Sequence, residues 1–192
     1  MKIVGDRLQT FFLRLTRRSF WELGIHDASV AGYVADVLTD FARADCLFGV
    51  RPRPVKNLES VAEVLVEKAS DPAPEEPEAS PSLLQERELR KYLGDYTLFM
   101  SGMFRSYVER RGFLDYYLQE GSRSYRTVSE LDLSLYRTGF LLYEELSKKF
   151  EYYSGALDYM RKAYFAHEPG KDPFAGFLRQ IEGWMKVNLT EN

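Results

Sequence analysis

The stretch KYLGDYTLFMSGMFRSY places one carboxylate, Asp95, in a run of aromatic and aliphatic residues with glycine on either side. The next helical segment carries the polar set Arg123, Tyr125, Arg126, Glu130 and Asp132. On a helix, Asp95, Gly102 and Ser106 fall along one column, small and polar, where a second helix can approach closely. A carboxylate in such a column needs a partner. Lys91, one turn earlier, is the nearest option, and Arg123 and Arg126 are the others. Two kinds of chemistry follow. One is an interhelical ion pair that fixes helix register. The other is a pocket in which Arg123 and Arg126 hold an anionic small molecule while Asp95, Ser106, Tyr125 and other tyrosine hydroxyls orient it, giving a ligand-binding protein or an enzyme with Asp95 or Glu130 as general base. Burial would raise a carboxylate's pKa toward a useful range, and a neighbouring arginine would lower it again.

Several other chemistries lack their residues. Metal sites in helical bundles need Glu-x-x-His pairs or clustered His and Cys, and the chain has only His26, His167 and Cys46. No metal and no cofactor are expected. No GxxxxGK[ST] or GxGxxG cradle for phosphates occurs, and GxSxG is missing too. Cys46, in RADCLFG, has no sequence neighbour that would lower its pKa.

A second candidate feature is aromatic. The run LYRTGFLLYEELSKKFEYYSGALDYMRKAYF holds more large side chains than one helical stripe hides, with Tyr152, Tyr159 and Phe165 off the main seam. Tyr, Met and Arg are enriched at the centres of protein interfaces, so these three residues are candidates for a homodimer or partner surface. A third feature is the N-terminal segment, where Phe11, Phe12, Leu15, Phe20 and Trp21 accompany Arg7, Arg14, Arg17 and Arg18. That pattern suits a membrane interface or a phosphate backbone, but Asp6 and Glu22 dilute its charge. The net charge of -3, from 26 basic and 29 acidic residues, adds no global pull toward polyanions, so such binding would need a local patch. Nucleic-acid and peripheral membrane partners are both disfavoured on this reading.

The elements that position these residues follow from periodicity. Residues 6 to 22 place Leu8, Phe11, Phe12 and Leu15 on one helical face. Asp27 is an N-cap for a helix carrying Val30, Tyr33, Val34, Val37, Leu38 and Phe41. Asn57 can cap a short helix with Val61, Val64 and Leu65. The stretch SDPAPEEPEASPS has four prolines, four acids and no large apolar residue, which predicts a disordered acidic loop over 71–81. Beyond it, Leu89, Leu93, Tyr96, Met100, Met103 and Tyr107 form a continuous stripe on a helix over 83–111, with Gly112 as its stop. A helix with Leu114, Leu118, Tyr125, Val128 and Leu131 follows, which Gly121 is expected to break. A seam then runs through Tyr136, Phe140, Tyr143, Leu146, Phe150, Tyr153, Leu157, Met160 and Tyr164, and a short amphipathic helix ends the pattern.

No segment alternates with period two between hairpin turns. With 192 residues and 45% hydrophobic content, the chain is large enough for one buried core. The expectation is a single all-α domain over 1–192, a compact bundle of about six or seven helices, with the helices of 6–69 packed on a tyrosine-rich bundle over 83–189. Twelve of the 13 tyrosines lie from Tyr92 onward. No window is long and apolar enough to span a membrane, and MKIVGDRLQTFF lacks a signal-type apolar core, which points to a cytoplasmic setting. The expected role is non-enzymatic, a self-associating helical interaction or structural module. The alternative is binding of an anionic small molecule, with or without catalysis.

Overall fold

Every residue from Leu93 to Phe104 is buried, so the helix that begins at Leu83 is surrounded on all sides over its second half. The computed structural model describes residues 2–48, 83–166 and 173–190. Among them there are eight helices and no strand: α1 (Lys2–Glu22), α2 (Ala28–Phe48), α3 (Leu83–Met103), α4 (Arg105–Arg110), α5 (Leu114–Ser134), α6 (Phe140–Lys148), α7 (Phe150–Tyr164) and α8 (Pro173–Thr190). The all-α bundle is therefore present. The acidic loop over 71–81, the helix capped by Asn57 and His167 lie outside the described residues.

The central helix α3 packs along α5 and α7, α5 packs on α6, and α1 packs on α2 and α7. Asp27 caps α2 as its position predicts, its Oδ1 accepting from the backbone N–H groups of Ser29 at 2.9 Å and Val30 at 3.1 Å. The core is strongly aromatic. Phe41 of α2 stacks on Phe99 of α3 with ring centroids 4.8 Å apart, and Phe104 meets Phe174 of α8 at 4.1 Å. Phe12 and Phe20 of α1 are fully buried, each worth roughly 1.5–3 kcal/mol of hydrophobic stabilisation.

The helix breaks differ from those expected, for steric reasons. Gly121 does not interrupt α5. A Cβ there would collide with the ring of Phe150 and with Thr97 Oγ1, so the glycine is a notch that admits a ring. The long seam breaks instead at Lys149, whose φ of -118° and ψ of 28° leave the helical region, and the buried Phe150 that follows fills the notch. The helix over 83–111 likewise breaks at Phe104 (φ -124°, ψ 30°), whose ring packs on Phe174 and Phe177 of α8. Within the seam, Tyr143, Leu146, Phe150, Tyr153, Leu157 and Met160 are buried, but Tyr136 is not: it is 97% exposed.

Candidate functional site

Asp95 lies where α2, α3 and α5 meet, and it is 7% exposed. Its Oδ1 accepts from Tyr33 Oη of α2 at 2.5 Å and from Tyr125 Oη of α5 at 2.8 Å. Its Oδ2 accepts from Lys91 Nζ, one turn earlier, at 2.7 Å. The three rings around it support one another, with Tyr33 edge-on to Tyr125 at 6.1 Å and to Tyr143 at 5.5 Å. Gly94 makes this possible, since a Cβ there would stand 2.6 Å from Tyr125 Cδ1 and Cε1. Burial pushes the Asp95 carboxyl above its ordinary range, and Lys91 and the two tyrosine hydroxyls pull it part of the way back. Desolvation holds both tyrosine hydroxyls well above theirs, and the Asp95 charge adds to the effect. For Lys91, burial works downward, but the Asp95 carboxylate outweighs it and the net shift is upward.

A second buried ion pair ties the start of α3 to the end of α5. Arg87 grips Asp132 through two parallel bonds, Nε to Oδ1 at 2.5 Å and Nη2 to Oδ2 at 3.0 Å. Asp132 is fully buried, Arg137 Nε lies 3.3 Å from the same Oδ1, and the Arg87 guanidinium sits 5.6 Å from the centre of the Tyr143 ring. The hydrogen bond to Asp132 raises the Arg87 pKa further. A third pair, Arg90 Nη1 to Glu120 Oε1 at 3.3 Å, lies between the same two helices.

Of the residues singled out from sequence, Asp95 and Tyr125 meet directly. Arg123, Arg126 and Glu130 are exposed on α5, and the cation on Asp95 is Lys91. Ser106 falls beyond the break at Phe104 and is exposed on α4, its carbonyl accepting from Arg110 Nε at 3.2 Å. The column of Asp95, Gly102 and Ser106 therefore does not face one neighbour. Gly102 faces Leu157 of α7, whose Cβ would be 2.5 Å from an added methyl. Tyr33 and Arg87 are the members that sequence reasoning missed. Tyr33 had one signal, as the single tyrosine before Tyr92. Arg87 had none beyond its distance of two turns from Asp95.

The aromatic candidates separate as well. Phe165 is 3% exposed, packed on Phe177 and Trp184 of α8 at 5.0 and 5.1 Å, so it completes the core. Tyr152 and Tyr159 are 50% and 38% exposed, and their hydroxyls reach the end of α1, at Leu23 O (3.3 Å) and Glu22 Oε2 (3.0 Å).

Among the residues whose burial is described, the most exposed aromatic is Tyr136, and its backbone is unusual. Three helices end in the same two-bond arrangement. At α1, Gly24 N–H bonds Trp21 O and Ile25 N–H bonds Phe20 O; at α4, Gly112 N–H bonds Glu109 O and Phe113 N–H bonds Val108 O. At α5, Tyr136 N–H bonds Leu133 O and Arg137 N–H bonds Asp132 O. This motif requires positive φ at its turning residue. Gly24 and Gly112 supply it at 75° and 73°, and at α5 a tyrosine adopts it at 54°. Leu133 and Leu141 beside this corner are 59% and 62% exposed.

Among the described residues, no group of three or more His, Cys, Asp or Glu could hold a metal ion, and no helix is long and apolar enough to cross a membrane. Comparison with protein-family models, curated proteins and solved structures found no match for this chain.

Proposed function

We propose that this chain is a non-enzymatic helical interaction module that pairs with a second copy of itself through the corner between α5 and α6. The observation that carries this reading is Tyr136. Left-handed backbone at a non-glycine residue is unfavourable by roughly 1–2 kcal/mol, and glycine fills the equivalent place at the ends of α1 and α4. The side chain offsets none of that within the fold, being 97% exposed. A strained ring held out beside two exposed leucines is suited to burial against another surface. A two-fold contact would set this patch against its own copy. The buried carboxylates favour the non-enzymatic part of this reading, because Asp95 and Asp132 are each engaged by two or more internal partners and serve to lock α3 against its neighbours.

Light scattering coupled to size exclusion tests the proposal across a concentration series. The expected result is a dimer that Tyr136→Gly or Leu141→Glu converts to monomer with the helical circular dichroism unchanged. A chain that stays monomeric at every concentration, or a dimer indifferent to both substitutions, would overturn it.

A further inference from the structure

Residues 7 to 21, RLQTFFLRLTRRSFW, contain four arginines and no carboxylate. Folding sorts this run into two faces. Leu8, Phe12 and Phe20 are 6%, 0% and 0% exposed, while Arg7, Arg14, Arg17 and Arg18 are all exposed and Trp21 is 69% exposed. Arg18 is held by Glu22 at 3.2 Å and lies over the Tyr164 ring. Glu22, which with Asp6 dilutes the charge in sequence, also accepts from Tyr159 and Tyr164 and is engaged at the helix end. Among the described residues, none forms an ion pair with Arg7, Arg14 or Arg17. The Trp21 indole meets the His26 ring edge-on at 4.4 Å, which fixes its orientation at the end of the stripe.

We infer that the outward face of α1 binds an unpaired polynucleotide strand, its arginines on the phosphates and Trp21 stacked on a base. From Arg7 to Trp21 the stripe runs about 21 Å, with Arg14 and Arg18 one turn apart, a spacing comparable with that of successive phosphates. The guanidinium groups of Arg7, Arg14 and Arg17, with no carboxylate partner among the described residues, are complementary to a polyanion, and Arg18 adds to them by giving up its Glu22 contact. An exposed indole in line with them supplies the stacking that a single strand offers and a closed duplex does not. A membrane surface is the poorer fit. A helix lying in a bilayer interface inserts its apolar face, and the apolar face of α1 is committed to the core. With a net charge of -3 the chain as a whole does not attract a polyanion, so binding depends on this local stripe and is sensitive to salt.

The test is fluorescence anisotropy of a labelled oligothymidylate of about 15 nucleotides, titrated with the full chain over a range of salt concentrations. Three or four phosphate contacts predict a slope of log K against log salt of roughly -2 to -3. Arg14→Ala is expected to weaken binding and reduce that slope by about 0.7. Trp21→Ala is expected to weaken binding about tenfold with the slope unchanged, because stacking releases no counterion. Both positions are exposed, so helical circular dichroism should be unaffected. Absence of an anisotropy change at low salt would overturn the inference. So would binding that survives Arg14→Ala combined with Arg17→Ala, or sedimentation with phosphatidylserine vesicles without oligonucleotide binding. Strand binding and self-association use different residues, so either result stands without the other.

Discussion

The Tyr125 ring lies against the bare Cα of Gly94, so that a Cβ at residue 94 would come within 2.6 Å of two ring carbons. This one contact lets α3 and α5 approach closely enough for the Tyr125 hydroxyl to reach Asp95 at 2.8 Å. Alanine is the better helix former by about 1 kcal/mol, yet here it would have to displace a fully buried ring. Gly94→Ala is therefore expected to destabilise the protein by about 1–3 kcal/mol net, read from urea midpoints. The same change at Gly155, where an added Cβ meets nothing within 4 Å, should be neutral or stabilising. Equal effects at the two positions would remove the packing argument.

The Asp95 cluster predicts an ordered series of substitutions. Asp95→Asn keeps the Oδ1 acceptor that both tyrosines share but replaces Oδ2 with a donor and loses the charge opposite Lys91, whose side chain is 31% exposed and so partly screened. A loss of about 2 kcal/mol is expected, and more for Asp95→Ala, which leaves two buried hydroxyls without their acceptor. Arg123→Ala and Arg126→Ala, on the exposed face of α5, should each fall within about 0.5 kcal/mol of wild type. A large effect of Arg126→Ala alongside a neutral Asp95→Asn would reverse this assignment.

Arg87 and Asp132 form the more deeply buried pair, with side-chain exposures of 7% and 0%. Removing Arg87 leaves the buried Asp132 charge with only the half-exposed Arg137 beside it, so Arg87→Ala is expected to cost about 3 kcal/mol. Replacing both, as Arg87→Met with Asp132→Leu, should recover most of that loss, because a packed apolar pair avoids the desolvation of two ions. Chemical denaturation of the two single variants and the double variant forms a thermodynamic cycle. Additive losses would show that the two residues are not coupled.

How much of this was legible from sequence can be traced residue by residue. The stripe from Leu93 to Met103 and the Asp27 cap follow from local spacing, and both are present in the fold. The partner of Asp95 within its own helix, Lys91, was visible for the same reason. What could not be read were contacts set by helix rotation. Whether Arg126 or Tyr125 faces α3 depends on about 100° of helical turn, and the glycine at position 94 that selects Tyr125 resembles any other helical glycine in sequence. Gly121 misled for a related reason: its meaning lies in Phe150, which arrives from another helix. Tyr136 fits the heptad-like seam by spacing, and only the backbone turn at the end of α5 removes it from the core.

The buried hydroxyls make the fold sensitive to alkali. Desolvation holds Tyr33, Tyr96, Tyr125 and Tyr153 above the ordinary tyrosine range and pushes Tyr92 up to about 12. Lys91 is raised as well, because the Asp95 charge outweighs its burial. A raised folded-state pKa means that the native chain keeps protons which the unfolded chain releases. The associated stability is complete below about pH 10 and is lost progressively above it. Tyrosinate absorbance and loss of helical circular dichroism should therefore rise together in an alkaline titration. Completion of the tyrosine titration with the helical signal intact would show that these hydroxyls ionise within the native fold.

Tyr136→Gly separates folding from association. Glycine adopts positive φ without steric penalty, so the substitution relieves roughly 1–2 kcal/mol of backbone strain, offset by about 0.5–1 kcal/mol of extra entropy in the unfolded chain. The side chain being replaced is 97% exposed and the two backbone hydrogen bonds of the motif are retained, so no packing is lost. The monomer is thus expected to gain up to about 1.5 kcal/mol, seen as a higher urea midpoint with an unchanged slope, measured at a concentration below the dimer range. Tyr136→Ala keeps the strain and removes only the ring, so it should leave the monomer's stability unchanged while weakening association as much as glycine does. A loss of monomer stability in either variant would mean that the Tyr136 ring serves the fold rather than a partner.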